Sequence, residues 1–108
     1  MASDEHAEKR KGGNTYQVQT VSLADLLREH KAPKAIDYVS IDVEGAEREV
    51  LNAFDFSFDI SILTIEHNYR ERDRAVIRTL LTARGYTPVF EALSMFEDWY
   101  VKSSLLTA

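Results

Sequence analysis

The chain of 108 residues has no cysteine. That excludes a disulfide framework, a Cys-ligated zinc or iron–sulfur site and a cysteine nucleophile. No apolar run approaches the ~18 residues that a membrane helix needs. The first thirteen residues, charged and ending in Gly12-Gly13, lack the apolar stretch of a signal peptide. A soluble, cytoplasmic protein is expected. Basic residues are outnumbered 13 to 18, for a net charge of −5, so nothing pulls the chain toward nucleic acid or an anionic membrane. The two prolines and four glycines are few enough to punctuate the chain.

What remains fits one globular domain. Residues 1–14 carry no periodic apolar face and read as a flexible polar arm. Tyr16 to Val21 alternates apolar and polar residues, as a short half-buried strand does. Ser22 is placed to cap a helix whose face is Leu23, Leu26, Leu27 and His30, and Pro33 closes it. Ile36 to Val43 is a β-rich run of the kind found in parallel strands covered on both faces. Glu44-Gly45 breaks it. Ala46, Val50, Leu51 and Phe54 then share one side of a second helix with acidic residues in its first turn. A second apolar run, Ile60 to Ile65, ends in Glu66-His67-Asn68. The third helix spans about 70–84 with Val76, Ile77, Leu80 and Leu81 as its stripe, and Gly85 ends it. The alternating charges of 69–74 read as a solvated face. Residues 86–93 and 98–103 read as two strands able to pair antiparallel, with Pro88 marking an edge. Helices alternating with strands define an α/β layout.

Ligands of open α/β sheets bind at the carboxyl ends of the parallel strands. Two acidic clusters fall there, Asp42 with Glu44 and Glu66 with His67 and Asn68. If the strands are neighbours, the clusters lie about one strand spacing, ~4.8 Å, apart. A plainer reading makes Glu44 and Glu47 an acidic helix start that satisfies its own amides. Asp42 fits that reading less well, because it follows a buried isoleucine at the end of a central strand.

The segment Thr20-Val-Ser-Leu-Ala-Asp-Leu-Leu27, followed by Ile36-Asp-Tyr-Val-Ser-Ile-Asp-Val-Glu-Gly-Ala-Glu-Arg-Glu-Val-Leu51, closely resembles the C-terminal half of FkbM-type methyltransferases. Those proteins pair a TVSLDDLL segment with IDxxKIDVEGxExxVL. Glu66 after the next strand and Gly85-Tyr86 after the next helix extend the likeness over about residues 18–103. Ser40 and Ala24 stand where the family usually has Lys and a second Asp. The resemblance implies a partial Rossmann-like methyltransferase sheet over residues 15–108, made of parallel strands 4 and 5 with the antiparallel 6/7 hairpin. The full sheet of the family runs in the order 3-2-1-4-5-7-6. It also implies S-adenosylmethionine as cofactor and a small-molecule acceptor whose hydroxyl is methylated, a natural product or a sugar. Asp42 would then be the catalytic group that positions or deprotonates that hydroxyl. Glu44, Glu66, His67 and Asn68 would line the acceptor side.

The family's Gly-rich loop after strand 1 and its ribose-binding acid after strand 2 have no counterpart. Gly12-Gly13 follow no strand. No cofactor-binding residue is therefore assigned, and little catalysis is expected of this chain alone. Two other readings accompany the first. One is a non-catalytic α/β module that forms a homo-oligomer through the exposed edge of its first long strand. The other is a divalent-metal site of Asp42, Glu44 and Glu66, with or without His67.

Overall fold

The computed structural model describes residues 20–67 and 70–106. Helix α1 (Leu23–Glu29) leads to strand β1 (Ala35–Ile41), helix α2 (Glu47–Ala53), strand β2 (Asp59–Glu66) and helix α3 (Glu71–Ala83). Strands β3 (Tyr86–Val89) and β4 (Glu97–Lys102) complete the fold. The four strands form one mixed sheet in the order β1-β2-β4-β3. β1 and β2 are parallel, and β4 is antiparallel to both β2 and β3. This is the 4-5-7-6 order that the family resemblance implies, a partial Rossmann-like sheet. The carboxyl ends of β1, β2 and β3 therefore share one end of the sheet.

The strand expected over residues 16–21 lies mostly outside the described residues. Thr20 and Val21, which are described, are not strand.

Local chemistry accounts for the elements. Ser22 caps α1, its hydroxyl accepting from the Asp25 amide at 3.1 Å, an arrangement worth about 1 kcal/mol. The buried face of α1 differs from the expected one. Ala24 enters the core with Leu23 and Leu27 beside it, while Leu26 and His30 are exposed. The helix ends at Glu29, before Pro33, because Lys31 turns left-handed at φ 55°. Arg28 ties α1 to the segment before β2, reaching Asp55 at 2.9 Å and Ser57 at 3.1 Å.

β1 stops at Ile41, two residues short of the expected end. The carboxylate of Glu47 accepts from the amides of Val43 (2.7 Å) and Gly45 (3.1 Å) and draws these residues into a turn. Nor, among the described residues, is β1 covered on both faces. Ile41 is buried, whereas Tyr38 and Ser40 on the opposite face are exposed. In α3, Ile77 and Leu81 are buried but Val76 is not. Each such aliphatic contributes about 1.5–3 kcal/mol by leaving water. Gly85 adopts φ +89° after α3, a conformation open to glycine at little cost.

β3 ends at Val89 because Phe90 takes a left-handed conformation, φ 56°, and residues 91–93 form a 3-10 turn. β3 is the outer strand of the sheet, where Pro88 removes no internal ladder bond. The 70–74 stretch is only partly a solvated face. Arg74 leaves it to bind Asp98, which is 4% exposed. The core itself runs between the helices and the sheet, through Leu51, Phe54, Leu63, Ile65, Leu81 and Tyr100.

Candidate functional site

The register aligns Ile41 of β1 with Ile65 of β2. The next rung sets Asp42, the first residue past β1, against Glu66, the last of β2. Neighbouring parallel strands hold such residues about 4.8 Å apart at the backbone, so the two carboxyls meet. Glu66 is hydrogen-bonded to Asp42, and its pKa is raised from 4.5 to about 7. The hydrogen bond is the largest cause, followed by burial and by the negative charges of Asp42, Glu44 and Glu47. A second negative charge at that distance is costly, so Glu66 keeps its proton to higher pH.

The turn after β1 builds the rest. Glu44 sits at φ 55° and Gly45 at φ +102°. Glu47 is 4% exposed and commits its carboxylate to the Val43 and Gly45 amides of the preceding turn, not to the amides of its own helix, which has no side-chain cap. Glu44 is exposed at the rim. A Cβ at Gly45 would meet the Arg70 guanidinium, so the absent side chain leaves room for that group. No sequence signal identified this contact, since Arg70 lies 25 positions away on another connection.

His67 goes elsewhere. Successive residues of a strand point to opposite faces, and His67 is 4% exposed with its Nε2 3.8 Å from Asp98 Oδ2. Its amide donates to Phe96 O at 2.8 Å. The structure thus joins Asp42, Glu44 and Glu66 at one rim and sets His67 on the helix side of the sheet. Asn68 lies outside the described residues. Among the described residues, no group of three or more His, Asp or Glu is arranged to hold a metal ion, and no helix is long and apolar enough to cross a membrane.

The model of the methyltransferase FkbM domain matches residues 1–88. The chain belongs to the FkbM methyltransferase family. Within it, the Asp42-Val-Glu-Gly45 turn and Glu66 lie inside the matched span, whereas β4 lies beyond it. The match begins at Met1 and ends at Pro88, earlier at both ends than the motif likeness over about 18–103. Neither a curated protein nor a solved structure matches this FkbM-family chain.

The family implies S-adenosylmethionine. Among the described residues, a cradle for it is not found. The glycine that follows a parallel strand here is Gly45, and the Arg70 guanidinium fills the space over it. What the rim offers is a pair of carboxyls that together can accept and donate a hydrogen bond.

Proposed function

We propose that this chain carries the acceptor end of an S-adenosylmethionine-dependent O-methyltransferase site, with Asp42 and Glu66 receiving the hydroxyl of a small molecule. The observation that carries this reading is the pairing of the two carboxyls at the carboxyl end of adjacent parallel strands. A hydroxyl is both donor and acceptor. Placed at the pair, it donates its hydrogen to the Asp42 carboxylate and accepts from the protonated Glu66. Loss of the hydroxyl proton to Asp42 would leave the acceptor oxygen able to attack a methyl group. Glu44 adds negative charge at the rim, which opposes premature charging of Glu66.

The described residues bind and orient the acceptor but supply no hold on the methyl donor, and no step through the donor is assigned to them. The chain alone is therefore expected to bind a hydroxyl compound and to transfer no methyl group. The acceptor belongs to the class of sugars or hydroxylated natural products.

The test is a titration with a methyl glycoside and with a simple cyclic alcohol, followed through the side-chain carboxyl carbon resonances of Asp42 and Glu66. Both resonances are expected to move together on one binding curve, and Glu66→Gln should weaken the response at Asp42. Resonances unmoved by either compound up to saturating concentration would overturn the reading.

A further inference from the structure

We infer that Glu47 is the positioning residue of the Asp42–Glu66 pair: its buried carboxylate grips the turn after β1 from behind and so sets Asp42 against Glu66. As a residue of the acceptor site it rests on the reading that this pair receives a hydroxyl. Glu47 is the first residue of α2 and is 4% exposed. A carboxyl so buried is costly unless hydrogen bonds meet it. Its two oxygens have separate partners, Oε2 the Val43 amide at 2.7 Å and Oε1 the Gly45 amide at 3.1 Å.

Each of these amides belongs to a planar peptide group. Fixing the Val43 N–H fixes the peptide that follows Asp42, and with it the direction in which the chain leaves that residue. On the other side of Asp42, Ile41 is held in register with Ile65. Asp42 is thus clamped between the strand ladder and Glu47, although it lies outside β1 and is itself exposed. Fixing the Gly45 N–H holds the peptide after Glu44, a residue at φ 55°, where any side chain is strained. Such a conformation persists only when its surroundings hold it. The Ala46 amide closes the same turn on the Val43 carbonyl at 3.3 Å.

Every group in this chain of contacts lies between Ile41 and Glu66. The arrangement needs a carboxylate. Two N–H donors meet two oxygens, and a glutamine would turn its NH2 group toward one of them. An aspartate would keep the charge but lose one methylene of reach. The charge of Glu47 also acts on the pair, because with Asp42 and Glu44 it holds the Glu66 pKa up. Arg70, whose guanidinium lies over Gly45, is the cation on that side. Without Glu47 the peptide after Asp42 is free to rotate, Asp42 turns to water and Glu66 loses its hydrogen-bond partner.

A pH titration of the full chain, followed through the side-chain carboxyl carbon resonances, tests it. In the unaltered chain Glu66 is expected to titrate at about 7, with the Asp42 resonance moving in step. Glu47→Gln should bring the Glu66 midpoint down toward 4.5, uncouple the two resonances and weaken binding of a cyclic alcohol about tenfold. Leu51→Val, a core substitution on the same helix, should lower stability and leave the Glu66 midpoint in place. A Glu66 midpoint unmoved by Glu47→Gln would overturn the inference. Amide exchange in the unaltered chain is a second readout that needs no variant. Val43 and Gly45 should be protected although both lie outside the helices and strands, and exchange at the rate of an open loop would overturn the inference too. An alcohol that fails to bind, while Glu47→Gln still lowers the Glu66 midpoint, would remove the acceptor reading and support the positioning of the pair.

Discussion

Asp98, in the antiparallel strand β4, takes two hydrogen bonds from Arg74 of α3, Nε to Oδ2 at 2.8 Å and a terminal nitrogen to Oδ1 at 2.9 Å. The fork matches the carboxylate with both ends engaged, and the contact holds the guanidinium pKa above its usual value. It fastens α3 to a strand that the chain reaches only after β3, and His67 packs against the same carboxylate. This is a structural use of residues that a motif reading assigns to solvent and to an acceptor pocket.

Truncating Arg74 would leave the Asp98 charge buried without its partner. Arg74→Ala should therefore cost about 3 kcal/mol, the lower end for a broken buried pair, because the arginine keeps some exposure to water. Urea denaturation measures the loss. Arg74→Lys should recover only part of it, since an ammonium cannot span both oxygens. A loss no larger than that of an ordinary surface substitution would show the pair to be incidental.

Stability should depend on Glu66 with a definite sign. Its folded-state pKa, about 7, stands above the ordinary 4.5, so between these values the folded chain binds more protons than the unfolded chain. The stabilisation is complete below pH 4.5 and is lost as pH rises through 7. Glu66→Gln should flatten this descent and leave the variant more stable than the unaltered chain at pH 8. Asp42→Asn should do the same by returning Glu66 toward 4.5. Thermal melts at half-unit pH intervals decide it.

Asp55 works in the opposite sense. Hydrogen bonds from the Ser57 side chain and amide, together with Arg28, lower its pKa from 3.8 to about 2. Its stabilisation is present above pH 3.8 and is lost as pH falls through 2. Asp55→Asn should remove the part of the acid unfolding slope that lies between those values. The effect should shrink in high salt, because the group is exposed. Acid titration followed by circular dichroism, at low and high salt, measures both.

Alanine at the two described glycines separates backbone strain from crowding. Both have positive φ, +102° at Gly45 and +89° at Gly85, which costs an L-residue about 1–2 kcal/mol. At Gly85 nothing lies within 4 Å of the added carbon, whereas at Gly45 the Arg70 guanidinium stands in its place. That guanidinium is the far end of a flexible, exposed side chain and can swing aside, so Gly45→Ala and Gly85→Ala should cost about the same, and Arg70→Ala should not change the comparison, as paired denaturation curves would show.

The sequence by itself determined the order of elements from α1 to β4, the edge position of Pro88 and the family. Ser22 and Gly85 mark helix ends through local hydrogen bonding and φ preference, and the motif from Asp42 to Gly45 is contiguous. Such signals survive without a fold. Only the tertiary structure decided which partners the charged side chains take. The run from Arg70 to Arg74 reads as uniform surface, yet Arg74 is committed to Asp98. Glu66, the last residue of β2, and His67, the next, are adjacent in sequence but turn to opposite faces of the sheet, so one joins Asp42 and the other joins Asp98. Those outcomes depend on strand register and on helices packing from distant parts of the chain, and neither is encoded within a window of a few residues.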